Sequence, residues 1–513
     1  MNCPRLLIAA AHKSSGKTTL SIGLARALAD QGLAVQAFKK GPDYIDPMWL
    51  ARASGRPCFN LDIHLMHHAE IAGLFARYSA LADISLIEAN LGLHDGMALD
   101  GSNSNAALAR QLGCPVVLVL DARGMTRSIA ALILGYQAFD KAVRIGGVIL
   151  NQVSGERHEA GLRAAIAHYT DVPVLGAVRR DPRLTMTERH LGLTPTSEVS
   201  DVEQRLREIA ALVAAQVDLA AVRALATSAS ALPWVPALPS AHSRHPTPPQ
   251  PPLRIAIARD EAFGFYYPDD LTALAAAGAT LVPIDTLRDA QLPPVDGLFI
   301  GGGFPESFLP QLQANGALRA AIRLAIEQGM PTYAECGGLM YLARTIRHKD
   351  QTMQMVGAVP ADVVMHERPV GRGYVRLSET GFHPWPMAGF ADAAGAADAL
   401  CAHAGDGAPK APCLAHEFHH SALCNIDTTV RYAYAVQRGH GIDGLHDGIV
   451  IHNMLAAYAH QRGSGGNCWP ERFVGFVRRI AVQRAAVGKS PPAQFLAHSY
   501  PQYPQPGVTP CLV

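Results

Sequence analysis

LLIAAAHKSSGKTTL, residues 6 to 20, is the stretch whose reading decides the fold. The apolar run Leu6, Leu7, Ile8, Ala9, Ala10 predicts a buried strand, SSGKTT a tight turn, and Leu20 onward (SIGLARALA) a helix with apolar residues at helical spacing. Strand, loop and helix in that order put backbone amides at a helix N-terminus, where they point at an anion. A lysine adds charge on terminal phosphates and a hydroxyl holds a magnesium ion, so the working parts are Gly16, Lys17 and Thr18, flanked by Ser15 and Thr19. Two details depart from the common G-x-x-x-x-G-K-[ST] loop: Ala11 stands at the first glycine, and Lys13 is not one residue after it, where a deviant loop carries its signature lysine. A Ser/Gly turn before Lys-Thr can also be only a turn with a capped helix. The strand before it and the amphipathic helix after it favour the phosphate loop.

Outward from this stretch, further strands are predicted at Leu33 to Phe38, Ile84 to Glu88, Val116 to Asp121 and Ile145 to Asn151, with helical segments between them. Apolar strands alternating with helices imply an α/β fold: a parallel sheet covered on both faces, with ligands beyond the C-terminal strand ends. Acidic residues gather at those ends. Asp43 and Asp46 flank Tyr44 and Ile45 in the Pro-fixed stretch Gly41 to Pro47, and Glu88 closes its strand. One acid ending a strand is more often a cap or an ion-pair partner. Three on adjacent strand ends suit magnesium, which takes oxygen ligands and keeps waters.

The chain has 513 residues, enough for two or three domains. A first domain is expected over residues 1–225, a Pro/Ser/Ala-rich linker over 226–252, a second α/β domain over 253–488, and a Pro-rich, disordered tail over 489–513. The second domain opens with LRIAIARD at Leu253 and has strands predicted at Ala279 to Ile284, Gly297 to Ile300 and Pro331 to Ala334. Lys+Arg 44 against Asp+Glu 43 leaves a net charge of +1, so nothing advertises nucleic acid. No apolar stretch approaches the roughly 20 residues needed to span a bilayer. Nine cysteines without C-x-x-C pairs, and no signal peptide, argue for a reducing, cytoplasmic setting rather than a disulfide framework.

In the second domain, Pro331 to Met340 (PTYAECGGLM) reads as strand, sharp turn and helix. Small residues around Cys336 allow a strained elbow with the sulfur exposed at a helix N-terminus. Upstream, Phe299 to Glu306 (FIGGGFPE) puts glycines after a strand, and Gly302 and Gly303 are suited to presenting N–H groups to an oxyanion. A lone cysteine is usually buried and inert. Cys336 is the one cysteine bracketed by a glycine pair after a hydrophobic strand. His416-Glu417-Phe418-His419-His420 satisfies H-E-x-x-H, but that zinc pattern needs a helix to bring both histidines to one face, and no amphipathic helix surrounds it.

FKKGPDYIDP, EANLGLHDG (Glu88 to Gly96), DARGMTRS (Asp121 to Ser128), LNQVSGERH (Leu150 to His158) and ERHLGL (Glu188 to Leu193) resemble the cobyrinic acid a,c-diamide synthase family, whose N-terminal domain is similar to dethiobiotin synthetase. RDEAFGFYYPD (Arg259 to Asp269), GGGFPE and AECGGLMYL are similar to that family's class I glutamine amidotransferase domain. The resemblance spans nearly the whole chain outside linker and tail. It implies ATP-dependent activation of a substrate carboxylate as an acyl phosphate, then attack by ammonia released from glutamine through a cysteine thioester. Carried onto this chain, Lys17 holds phosphates, and Thr18, Asp43 and Glu88 surround magnesium. Tyr44, Asp46, Asp95 and Arg127 are the candidates to meet the acceptor, a tetrapyrrole or corrinoid polycarboxylate. Cys336 is the nucleophile, and Ala456-Ala457-Tyr458-Ala459-His460 fits the family's Ala-x-Tyr-x-His stretch, making His460 the base. Many class I amidotransferases add a glutamate two residues later, where this chain has Arg462, so a dyad is expected with its third member unassigned.

Cobyrinate is the expected substrate, with hydrogenobyrinate as its metal-free counterpart. Departures at Glu88 to Leu91 and at Asp100 to Asn105 leave open a branch that amidates sirohaem in sulfur metabolism. A non-catalytic nucleotide switch, which needs neither Cys336 nor His460, is the reading from another class. A homodimer is compatible with the sequence, which does not fix the oligomeric state.

Overall fold

Seven strands, β1 (Arg5–Ala10), β2 (Val35–Lys40), β3 (Phe59–Leu61), β4 (Ile84–Glu88), β5 (Val116–Asp121), β6 (Ile145–Val153) and β7 (Val174–Arg179), form one sheet of order β3-β2-β4-β1-β5-β6-β7. The computed structural model describes residues 3–189, 192–232, 252–387 and 412–486. Every pairing in this sheet is parallel. Every residue of β1, β2 and β4 is buried, which requires cover on both faces and explains the apolar runs Leu6 to Ala10 and Ile84 to Ile87. The helix α1 (Lys17–Asp30) starts three residues before the predicted Leu20, so Lys17 and Thr18 belong to its first turn. Strand β2 also runs two residues past its expected end at Phe38, because Lys39 and Lys40 continue the ladder, buried to 3% and 7% exposure. Strands β3 and β7 escaped the sequence reading.

The chain divides into two compact units, Met1–Ser240 and Ala241–Val513. The helix Leu219–Thr227 carries the first unit beyond residue 225, and Leu232 packs in its core. Arg5, fully buried, holds this closing segment in place: its guanidinium donates to the carbonyls of Leu112 at 2.6 Å, Cys3 at 2.9 Å and Ser230 at 2.5 Å. The greater part of the expected linker and all of the expected tail lie outside the described residues.

The second unit is built on a sheet of two halves. Strands Ala279–Ile284, Leu253–Ala258, Gly297–Ile300, Thr332–Glu335 and Met454–Ala457 pair in parallel, in that spatial order. From Met454–Ala457 the sheet continues antiparallel through His446–Ile451, Arg431–Arg438, Gly371–Glu379, Cys413–His419 and His460–Gln461. This antiparallel half was not anticipated. The parallel half is packed on one face by the helix Trp469–Ala486. Tyr333, in the strand leading to Cys336, stacks on Phe299 at 5.4 Å and meets Trp469 at 5.0 Å and Phe473 at 6.1 Å. Burying each such ring stabilises by about 2–3 kcal/mol, so the strand presenting the cysteine has a stiff back.

Among the described cysteines six are free, whereas Cys468 is disulfide-bonded, a departure from the expectation of none. No described helix is long and apolar enough to cross a membrane.

Candidate active sites

The loop between β1 and α1 is shaped by two left-handed residues, Ser14 at φ 61° and Gly16 at φ 86°. Gly16 has a second reason to lack a side chain: an added Cβ would stand 2.1 Å from Asn151 Nδ2, which donates to the Ser15 carbonyl at 2.9 Å. Asn151 comes from β6, so a residue the sequence reading passed over fixes the loop. Ser15 folds back to donate to the His12 carbonyl at 2.8 Å, and Thr19 is half-buried on α1. Lys17 is 7% exposed, and burial holds it below the ordinary lysine value while Glu88 partly offsets the fall. Asp95 is close enough to act on the Lys17 charge, and accepts from the Gly92 N–H at 2.9 Å.

The acidic residues converge as expected, but around an unexpected centre. Thr18 Oγ1 donates to Glu88 Oε1 at 2.6 Å and to Asp46 Oδ2 at 3.4 Å. Lys39 Nζ lies 2.5 Å from Asp46, 3.0 Å from Glu88 and 3.7 Å from Asp43. Burial opposes the Lys39 charge, yet Asp46, Glu88 and Asp43 outweigh it and raise the ammonium well above its usual value. Burial also raises Glu88, Lys39 working against it. Asp43, with 35% of its side chain open, is pushed to about 7 by the surrounding desolvation and then by Asp46. Asp46, read as an acceptor contact, thus belongs to the carboxylate cluster itself.

These donors are all oxygens, as a hard cation requires, and Glu88 Oε2 is buried without a partner. That is the donor chemistry magnesium takes, with the Lys39 ammonium lying among the same oxygens in this structure. Among the described residues no three His, Cys, Asp or Glu side chains make a metal cage by themselves. Tyr44 is buried at the start of the helix α2 (Ile45–Ser54), and Arg127 is exposed at the start of the helix Ser128–Phe139.

In the second unit Cys336 sits between the strand Thr332–Glu335 and the helix Gly337–Leu342 with φ 48° and ψ −103°, a strained conformation for a non-glycine residue. The two following glycines are needed sterically. A Cβ on Gly337 would stand 2.9 Å from Gly303 N, and one on Gly338 would stand 2.2 Å from the Ile300 carbonyl oxygen. Gly302 and Gly303 form a two-residue strand paired with Phe263–Phe265, next to the elbow. A Cβ on Gly302 would reach His460 Cε1 at 2.5 Å, so cysteine, glycine turn and histidine share one locus.

His460 is 3% exposed, beside Cys336, and its Nδ1 lies 3.7 Å from Glu335 Oε2, while the hydrogen bond of Cys336 Sγ runs to the Phe418 carbonyl at 3.9 Å. Burial works against its charge, but the Cys336 and Glu335 side chains prevail and raise it to about 10. Arg462 is turned elsewhere, donating to Asp269 Oδ2 at 2.7 Å with its guanidinium 4.5 Å above the Tyr267 ring. The H-E-x-x-H run falls on the strand Cys413–His419 and the residue after it, His420, so no helix brings His416 and His420 one turn apart as that zinc pattern requires. His416 stacks on His460 at 4.9 Å, whereas Glu417 accepts from the backbone N–H groups of His440 and Gly441 at 2.7 and 2.8 Å.

Residues 6–193 match the CobQ/CobB/MinD/ParA nucleotide binding domain, and residues 254–466 match the CobB/CobQ-like glutamine amidotransferase domain. The cobyrinate a,c-diamide synthase of Magnetococcus marinus is 42% identical over 466 residues, covering 91% of this chain and 95% of that one. Its counterpart from Methanosarcina acetivorans is 40% identical over 483 residues, covering 90% and 92%. That of Synechocystis is 35% identical over 494 residues, covering 95% and 96%.

Proposed function

The chain belongs to the cobyrinate a,c-diamide synthase family, a glutamine-hydrolysing carbon–nitrogen ligase that uses ATP, and from that premise we propose how its residues divide the work. The reaction is amidation of the a and c carboxylates of cobyrinate or hydrogenobyrinate, with glutamine as ammonia source. The observation that carries the reading is the strained Cys336 elbow, with His460 and the Gly302–Gly303 turn beside it.

At the elbow the Sγ proton passes to His460, sulfur attacks the glutamine amide carbon, and the Gly302 and Gly303 turn faces the oxygen that gains charge. Collapse breaks the C–N bond, His460 returns the proton to departing ammonia, and water then hydrolyses the thioester to glutamate. At the phosphate loop, a free carboxylate resists ammonia because its oxygen is a poor leaving group. Transfer of the ATP γ-phosphoryl group to it makes an acyl phosphate, and ammonia then displaces phosphate. Amides of the Ser15–Thr19 turn and Lys17 hold the phosphates, positioning and neutralising rather than reacting. Thr18, Asp43, Asp46 and Glu88 are the residues that would hold magnesium, whose charge offsets that of the phosphates. Tyr44, Asp95 and Arg127 are the groups left to meet the macrocycle. ATP and glutamine as co-substrates support work in the cytoplasm.

The test is ATP hydrolysis by the purified protein with glutamine and magnesium, offered cobyrinic acid, hydrogenobyrinic acid or sirohaem in turn, with product masses recorded. A double amidation of a corrinoid is expected. Amidation of sirohaem alone would overturn the substrate assignment and make the Ala89 to Asn105 segment its determinant.

A further inference from the structure

The position that supplies a glutamate to the histidine in many class I amidotransferases is Arg462 here, and Arg462 is engaged by Asp269 and Tyr267. A carboxylate nevertheless reaches the same imidazole from another element. We infer that Glu335, the residue directly before the nucleophile, is the positioning residue that fixes His460, replacing the missing glutamate from the nucleophile's own strand.

The geometry assigns each Glu335 oxygen one task. Oε1 accepts from Tyr333 Oη at 2.6 Å and from the Gln461 N–H at 2.8 Å. Tyr333 is two residues away on the same strand face, and Gln461 follows His460, so these bonds tie the carboxylate to both catalytic strands. Oε2 is left facing His460 Nδ1 at 3.7 Å, an ion-pair distance, with both side chains 3–4% exposed. With Nδ1 turned to Glu335, Nε2 is the nitrogen available to the thiol. A buried carboxylate there selects that tautomer and stabilises the imidazolium once it takes the Sγ proton. The other groups facing the pair do not compete. His416, stacked on His460, is held well below the ordinary histidine value by burial, then by His460 and Arg462, and is neutral. Tyr333 and Tyr266 are driven up by burial and stay protonated. Arg462 acts on the cluster only as a fixed positive charge.

This inference rests on the reading of Cys336 and His460 as the glutaminase pair. Its test is the pH profile of kcat/KM for glutamine hydrolysis in full-length wild type, Glu335→Gln, Glu335→Asp and Cys336→Ala, with ammonia-dependent amidation followed alongside. Glutamine at 335 keeps an acceptor for Tyr333 and Gln461 but removes the charge. Glu335→Gln is expected to lower kcat about a hundredfold. It is also expected to move the alkaline limb down by about one pH unit or more, because the imidazolium is lost sooner. Ammonia-dependent amidation should stay within about twofold of wild type. Glu335→Asp, which restores the charge, should return the limb toward wild type. An unmoved limb in Glu335→Gln, or a wild-type limb at the ordinary imidazole value of about 6.5, overturns the inference, the latter without recourse to any variant. Glutamine hydrolysis surviving in Cys336→Ala would instead overturn the reading beneath it.

Discussion

Replacing the Cys336 sulfur removes one atom from an elbow whose backbone is already strained, and the consequence should be confined to one half of the reaction. Cys336→Ala is expected to abolish glutamine-dependent amidation, a loss of about a thousandfold or more, while ammonia-dependent amidation stays within about twofold. Loss of both would contradict two separate sites, and parallel assays with glutamine and ammonium chloride decide it. Gly302→Ala is subtler. Its Cβ would press on His460 Cε1 at 2.5 Å, so glutamine hydrolysis should fall about ten- to a hundredfold with little change in ATP binding. Cys336 and His460, proposed as nucleophile and base and brought to one locus by the fold, stood out because small residues around a cysteine, and a histidine in a recognisable motif, are local signals. Glu335 was not. A partner sought two residues after the histidine lies instead before the cysteine, and only the register Glu335↔Ala457 brings the two strands close enough for it to count.

Elements carry the next level of consequence. Gly16 ends the phosphate loop at φ 86°, with Asn151 from β6 directly over it. Gly16→Ala should therefore abolish nucleotide binding, measured by calorimetry with an ATP analogue, and leave glutamine hydrolysis intact. Arg5 ties β1 to the turn after Leu112 and to Ser230 near the end of the first unit. Arg5→Ala leaves several buried carbonyls without donors, and should destabilise the first unit by about 3 kcal/mol or more in urea unfolding. Strands with two buried faces announced themselves as apolar runs, and β4 and β5 match their expected limits residue for residue. The end of β2 was read short because two lysines look like solvent-facing residues. Lys39 is buried because Asp43 and Asp46, a few residues on, turn back to it and Glu88 meets it from a neighbouring strand, a convergence only the fold produces. The antiparallel half of the second sheet depends on pairings between distant segments and gave no comparable local pattern.

On the scale of the whole molecule, two units carry two chemistries, and their coupling is set by stoichiometry. One acyl phosphate per amide predicts one ADP, one phosphate and one glutamate for every amide formed, checked by titrating all three against product mass. Glutamate in excess of amide would mean ammonia escaping between the two reactions. The Cys336 elbow and the glycine turn approach each other closely, at Gly337 against Gly303 and Gly338 against Ile300. A single methyl group at either position has nowhere to go. For a cell carrying this chain, such a lesion would be a nutritional one: the variant would fail when glutamine is its nitrogen donor and recover on abundant ammonium, a conditional phenotype written into two glycines.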